Sequence, residues 1–577
     1  MRGPHSEISA IFVKKKIYAI LTVIILLTCF AFWALGAIVT AMSESRQQQR
    51  GVAFEQQLKQ QQQAKQIALE LPRERVLLVG QLDDQLTRAV DLAKLDPVPA
   101  ASLLTLPEGS EPVLIIVQAT LLEQPGQLEA FKELCQQPRQ ILLWHAERLS
   151  FTDPELRDLL GVAQAQPAAT RRSLKVLDGF WSGERWEEPE YVCQAAELTL
   201  TGGQQRYILQ YQDANREDLE PLQANPLLYR QMVQSASVYV ANGSYVDDIP
   251  QGVLRGVLMQ RQRTYLFPVM NIAYFAVQDC PLLSDENAEQ LEALYARTVR
   301  QLCEDILVPD LLSVCDKLGQ RPTFFAAAQI AGGEEPSAET LDYYQDELNK
   351  HGGALGVVWT KQTARLWTEW IDQMEVLREP LQALITDGTA YDGLSHIHGQ
   401  VGLLDFSANA LPISQISQEA VRFHAAYQPL NQTPANRLNY LASVYGYGIS
   451  SVGVQMEAAY YPGQDKWNHQ SRTLSKELGK VVSQIRMFEA VTVGDAARKV
   501  AAYELMEPVI TYPDSDRIRV EIAYFSGSAS FLLSTDHQVG QVIHGQATRL
   551  DDQLYLITVD DDTAEILLEP STLTYQP

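Results

Sequence analysis

Apolar and polar positions alternate in several distinct rhythms along this chain, and the first of them is the most extreme. Ile17 to Met42 contains no Asp, Glu, Lys, Arg or His, and a helix of that length exceeds the roughly 20 residues that cross a hydrocarbon core. The pattern predicts a transmembrane helix over 17–42. Lys14, Lys15 and Lys16 stand directly before it. By the positive-inside preference, residues 1–16 are then a cytoplasmic tail, and the chain is a single-pass protein of the cell membrane with its bulk on the extracytoplasmic side. A cleaved signal peptide is the alternative, but its apolar core would run only about 7 to 15 residues.

The rhythm then changes three times. Residues 43–72 are Gln-rich with few apolar positions, which reads as a helical stalk or a disordered spacer. From Arg75, short apolar runs (VLLVG, PVLIIV, QILLW) are separated by helical stretches. Parallel strands buried on both faces, with crossover helices between them, have this signature. Residues 191–245 add alternating strands with Gly-Gly and Asn-Gly turn signals. The expectation is an open α/β domain of Rossmann or amidotransferase type over 73–262. Gly80 follows its first strand without a GxGxxG or GxxxxGK[ST] fingerprint, and Gln81-Leu82-Asp83-Asp84 would cradle a phosphate poorly.

A second strand–helix series begins at TYLFPVMNIAYFAVQD and runs through PTFFAAAQI and ALGVVWT, predicting a (β/α) barrel over 263–507. The tail, 508–577, has only alternating runs such as RIRVEIAYF and QLYLITV, and predicts a C-terminal antiparallel β domain. The fold class is thus α/β multidomain.

Charge and cysteine content narrow the partners. A formal net charge of −25 excludes nucleic acid, which requires a clustered positive surface; it suits a soluble body or, more weakly, a cationic polymer. Of six cysteines, Cys29 lies in the predicted span, and Cys135, Cys193, Cys280, Cys303 and Cys315 show no CxxC spacing for zinc or redox chemistry.

Within the barrel segment, LLSVCDKLGQRPTFFAAAQI (311–330) followed by AETLDYYQDELNKHGGALGVVWT (338–360) resembles the polysaccharide deacetylase superfamily. The resemblance implies removal of acetyl groups from glycans by a water bound to a metal, whose pKa falls to about 7, with one Asp and two His as ligands and a second Asp as base. Asp279 in AVQDCP takes the metal-ligand place, while Gln278 stands in the place of the base. An amide cannot accept that proton. Where the superfamily carries its two histidines, this chain has Gly356-Val357-Val358-Trp359-Thr360-Lys361-Gln362. The barrel is therefore expected to be degenerate, with no cofactor, and Asp279 is its one catalytic candidate.

Over most of its length the chain also resembles an uncharacterised family of membrane-anchored proteins associated with Pel-type exopolysaccharide biosynthesis in Gram-positive bacteria. SVYVANGSYVDD, the stretch from YLFPVMNIAYFAVQDCPLLSDENAEQ to LCEDILVPDLLSV, and the segment from RIRVEIAYF to QLYLITV carry it. It implies work on a polysaccharide beside membrane-embedded synthase or export subunits. A true deacetylase or glycosidase with an unorthodox site, or a scaffold for a synthase, are the alternatives.

Two further sets of residues remain open. His396 and His398 in SHIHG lie two apart, which on a strand points both imidazoles to one side, as ligands of a divalent metal or as satisfied loop histidines. Trp359, Trp367, Tyr460 and Trp467 could stack on sugar rings or pack in the core.

Overall fold

A computed structural model describes residues 73–107, 111–177, 180–181, 186–210, 224–245, 249–260, 264–281, 288–326, 337–359, 382–386, 401–405, 413–415, 420–424, 430, 434–456, 467–485 and 488–569. The predicted tail, span and stalk (1–16, 17–42 and 43–72) lie outside them, in a unit ending at Leu71; everything below concerns the unit from Pro72 onward.

Three of the unbroken apolar runs are parallel strands: β1 (Arg75–Val79), β3 (Leu114–Gln118) and β4 (Gln140–Trp144), with β2 (Asp96–Ala100) at the edge. Nearly every residue of β1, β3 and β4 is buried, as a strand covered on both faces must be. Helices α1 (Asp84–Leu92) and α2 (Gln127–Leu134) form two of the connections. The sheet continues through β5 (Val162–Val176), β6 (Trp186–Leu200), β7 (Gln205–Gln210), β8 (Asn225–Val233) and β9 (Ala236–Ala241). Its order is β2-β1-β3-β4-β9-β8-β7-β5-β6, with β9 parallel to β4 and the remainder antiparallel. Asn242 satisfies the buried backbone where β6 and β8 meet, donating to the carbonyls of Ala196 and Pro226 at 2.8 and 2.9 Å.

Helix α3 (Ile249–Met259) leads to β10 (Thr264–Val269) and β11 (Ile272–Gln278). Between these strands Asn271 takes φ 56°, a left-handed conformation that Asn tolerates better than most side chains. The two strands then join different sheets. β11 is followed by α4 (Val308–Leu318), β12 (Pro322–Ala326), α5 (Ala338–Lys350), β13 (Ala354–Trp359), β14 (Ala383–Thr386), β15 (Val401–Asp405), β16 (Ile413–Gln415), β17 (Ala420–His424), α6 (Pro434–Tyr447), β18 (Ile449–Gln455) and α7 (Trp467–Ile485). Gly319 closes α4 at φ 66°, the left-handed C-terminal turn that glycine allows.

The fold class expected from the sequence needs three corrections. Among the described residues the second series does not close into a barrel: its order is β16-β17-β15-β14-β13-β12-β11-β18, an open sheet like half a barrel, parallel except for β16. A closed barrel needs its first and last strands to pair, and here the short antiparallel β16 terminates one edge while β18 terminates the other. Second, the C-terminal strands β19 (Glu507–Asp514), β20 (Arg517–Ala523), β21 (Ala529–Thr535), β22 (Gln538–Ile543), β23 (Gly545–Asp551), β24 (Leu554–Val559) and β25 (Thr563–Glu569) do not form a sheet system of their own. They build two four-stranded sheets, β19-β20-β25-β22 and β10-β21-β24-β23, and the second takes β10 from the other end of the parallel series. Third, the N-terminal transmembrane helix finds no support among the described residues. Among the described residues no helix is long and apolar enough to cross a membrane, and Ile17–Met42 lies outside them.

Helix α8 (Val493–Leu505) fixes which end of the open sheet is accessible. The residues entering it touch β11, β12 and β15 near their amino ends. Ala273 of β11 exchanges hydrogen bonds with Glu489 and Val491. The Val493 N–H donates to Thr323 Oγ1 of β12 at 2.9 Å, and the Gly402 N–H of β15 donates to the carbonyl of Gln382, just before β14. At Gly402 a Cβ would lie 2.7 Å from Val493, so only glycine permits this approach. The sheet curls around α8, and its carboxyl edge is left free of it.

Candidate functional site

Ligands of open parallel sheets bind outside the carboxyl ends of the strands, so the second sheet's edge is where Asp279 has to be judged. Asp279 is the first residue after β11, partly exposed and held at φ 56°. Gln278, the last residue of β11, lies opposite Gln455, the last residue of β18. The Gln455 amide donates to Gln278 Oε1 at 3.4 Å, so a carboxamide pair occupies the place where a deacetylase would need a proton-accepting carboxylate.

Two strands from β11, β13 delivers the stretch that should carry the two imidazoles. Gly356 packs so closely that a Cβ would lie 2.6 Å from Phe325 and 2.7 Å from the Ala383 carbonyl, and Val357 is fully buried. Neither residue is a metal ligand. Trp359 ends the strand with 1% of its surface exposed, and its indole Nε1 is buried without a hydrogen-bond partner. Such an orphan donor costs on the order of 1–3 kcal/mol.

The remaining predicted residues fall as follows. Trp467, at the start of α7, is fully buried, and its indole N–H donates to Asp310 of α4 at 2.9 Å. As placed, neither Trp359 nor Trp467 offers a ring face to a polymer. His396, His398, Trp367 and Tyr460 lie outside the described residues. Cys280 and Cys303 are buried thiols, and Cys303 Sγ–H bonds the Pro281 carbonyl. Burial pushes the Cys280 thiol well above the usual thiol range, with smaller contributions from Cys303 and Asp279; it is not a nucleophile at neutral pH.

A metal of the deacetylase kind does not fit these residues. At the described ends of β11, β18 and β13, one carboxylate, an amide pair and an apolar strand end do not supply the three protein ligands of a hydrolytic centre. Among the described residues no group of three or more His, Cys, Asp or Glu side chains is placed to hold a metal ion.

Sequence reading missed the Gln278–Gln455 pair, whose members lie 177 residues apart. Strand register also places Asp405, ending β15, opposite His424, ending β17, at the same edge. Asp405 follows the SHIHG segment and His424 stands in RFHAAY, and only the strand register brings the two positions together. A further polar cluster, around His145, lies at the carboxyl edge of the first sheet.

No known protein family profile matches the chain, and no curated protein matches it. Among solved structures it is similar to Agd3, described as a novel carbohydrate deacetylase, with 6% identity and a TM-score of 0.48 over 86% of this chain and 99% of that one. It is also similar to a beta-galactosidase from Bacillus circulans sp. alkalophilus (12% identity, TM-score 0.24, 35% of this chain and 34% of that one). An endo-beta1,6-glucanase gives 7% identity and a TM-score of 0.22 over 51% of this chain and 83% of that one. At these identities and scores the likeness concerns fold, distantly, and no activity follows from it.

Proposed function

We propose that the chain is a component of Pel-like exopolysaccharide synthesis or export, in which the deacetylase-like sheet binds or guides polymer, or a synthase subunit, without hydrolysing acetyl groups. The observation that carries the non-catalytic half is the Gln278–Gln455 pair at the carboxyl edge, since two carboxamides supply neither a base nor a metal ligand for acyl transfer. The polysaccharide half rests on the sequence resemblance. Deleting the gene is expected to reduce surface polymer, and the purified protein to release no acetate from an acetylated amino-sugar oligomer. Unchanged polymer sinks the assignment to exopolysaccharide work. Acetate release together with about one metal per chain, as a hydrolytic zinc site would show, sinks the non-catalytic half.

One observation favours an active carbohydrate-modifying enzyme instead. The backbones of β15 and β17 end side by side at Asp405 and His424, at the edge where catalytic groups of parallel sheets gather. Under that reading His424→Ala abolishes product release from the oligomer; under the preferred one there is no release to abolish.

A further inference from the structure

Polar groups at the first sheet's carboxyl edge are bonded mainly to one another. His145 is 5% exposed and bridges two carboxylates, with Nε2 2.7 Å from Asp83 Oδ2 and Nδ1 2.9 Å from Glu147 Oε1. The Trp144 indole N–H donates to the same Asp83 oxygen at 2.8 Å. Burial opposes charge on His145, but the hydrogen bonds and charges of Glu147 and Asp83 outweigh it and raise its pKa. Arg148 adds a second cation 3.5 Å from Glu147. A cluster closed on itself in this way makes no demand for a ligand. A groove in the helical layer of the second sheet does.

The groove runs between α4 and α5, the helices before and after β12, and has a volume of about 560 Å3, within the range of small-ligand sites. Val308 and Leu312, one turn apart on α4 and both buried, give it an apolar floor. On α5, Leu341, Tyr344 and Leu348 recur at the spacing of one helix face and are buried. Tyr343 falls off that stripe and stands 55% exposed in the groove wall, its ring at 70° to that of Tyr344 with centroids 5.2 Å apart. One exposed apolar ring is ordinary; the groove adds an unused polar group beside it. Tyr344 lines the same groove at 2% exposure, and its hydroxyl makes no hydrogen bond among the described residues. Burial pushes the phenol above its ordinary range, so the hydroxyl keeps its proton and has it to donate. Buried hydroxyls rarely go without a partner.

Charge does not select an ion here. Glu304, Asp316 and Glu347 on the walls are matched by Lys317 in the groove and by Arg300 and Lys350 beside it, three carboxylates to three cations. Arg300 Nε lies 2.8 Å from Glu304, Lys350 is bonded to Glu347, and His351 Nδ1 is 2.9 Å from Asp316. The carboxylates thus keep lone pairs for hydroxyl donors while their charge is already answered. An open aromatic face, a buried hydroxyl and acceptor oxygens without net charge suit an uncharged ligand with one apolar face and several hydroxyls. A sugar ring has that form.

We infer that this groove binds an uncharged stretch of polysaccharide, one sugar lying on Tyr343 with its hydroxyls bonded to Tyr344 Oη, Glu304 and Glu347. The saccharide identity of the ligand rests on the polysaccharide reading above; its place and its neutrality rest on the groove. Such a contact grips polymer without cutting it.

Calorimetric titration of the full-length protein with tetramers of N-acetylglucosamine, N-acetylgalactosamine, glucose and galactose tests the inference. At least one is expected to bind, with an affinity that does not fall as salt is raised, since no net charge is matched. Tyr343→Ala, at an exposed position where folding is not at stake, should weaken that binding roughly tenfold. Tyr344→Phe should weaken it severalfold and leave the thermal midpoint unmoved or higher, because it deletes a hydroxyl that has no partner in the free protein. Leu104→Ala, which trims another exposed apolar side chain, leaves affinity unchanged. No binding of any tetramer, binding indifferent to Tyr343→Ala, or a steep salt dependence overturns the groove. If indifferent binding is lost on Gln278→Ala instead, the polymer lies at the carboxyl edge, and the polysaccharide reading stands without the groove. Unchanged surface polymer in the deletion strain removes the exopolysaccharide role and leaves the measured affinity as it is.

Discussion

The parallel strands of the two large sheets end in carboxyl edges of the same topological kind with different furnishings. At the first, Asp83, His145, Glu147 and Trp144 form a continuous hydrogen-bonded set facing a cleft. At the second, Gln278 and Gln455 hold one another and Trp359 keeps an unpartnered indole N–H. Topology therefore says where a site can be, and side chains decide whether it has acid–base or charge chemistry. Among the described residues, the edge that resembles an enzyme by sequence carries the fewer hydrogen-bonded titratable groups.

The largest effect should come from taking apart the first edge. His145→Gln leaves Glu147, 4% exposed, with only the more exposed Arg148, 3.5 Å away, as a cationic neighbour, and breaking a buried pair costs up to about 3 kcal/mol. Because the folded pKa of His145 is raised, its charged-state contribution is complete below the ordinary value of about 6.5; it is lost as pH rises through the folded pKa. Urea unfolding of wild type and His145→Gln should thus show a larger difference at pH 6 than at pH 9. A small, pH-independent difference would remove the imidazolium from the account.

Next in size is the support beneath the second edge. Gly402→Ala drives a methyl into Val493, and overpacking of this kind costs about 1–3 kcal/mol. A thermal midpoint unmoved by this change would mean that the sheet does not need α8 at that distance. Between the two regions, Lys94 packs on α8, its ammonium donating to the Glu504 carbonyl at 2.9 Å and lying over the Tyr503 ring. Burial lowers its pKa to about 8. The unfolded chain then binds more protons than the folded one from about pH 8 to about 10.4, so stability rises with pH across that window. Lys94→Met should stabilise the protein most at pH 7, and the advantage should shrink toward pH 10.

The smallest effect is expected at Trp359. Trp359→Phe deletes a donor that has no acceptor, so its loss of packing is offset and the net change should stay within about 1 kcal/mol. A variant that keeps its stability yet loses polymer binding would turn this orphan into a ligand contact and bring the second edge closer in character to the first.

Much of the strand content is legible in the sequence because VLLV, LIIV and ILLW are apolar without a break, and only strands covered on both faces read that way. Closure is not legible. Strand–helix–strand repeats look the same in a barrel and in an open sheet, and the difference lies in whether β16 and β18 meet. TYLFPVMNIAYFAVQD reads as one region, yet the turn at Asn271 sends its halves to separate sheets. The Asp83–His145 contact spans 62 residues, and nothing local distinguishes this histidine from one that merely ends a strand. That 356–362 holds no histidine is read from the sequence directly, since comparing a motif position by position needs no tertiary information.

β10 pairs along its whole length with β21, which gives the last seventy residues an unusual dependence. They cannot be cut away as an appendage: stopping the chain before β19 would strip the partner from a strand whose Leu266, Phe267 and Val269 are almost wholly shielded. An unpaired apolar edge invites another chain to add to it. Shortened versions should therefore aggregate, and by the same logic this tail cannot have been exchanged among proteins as a free-standing module without β10 travelling with it.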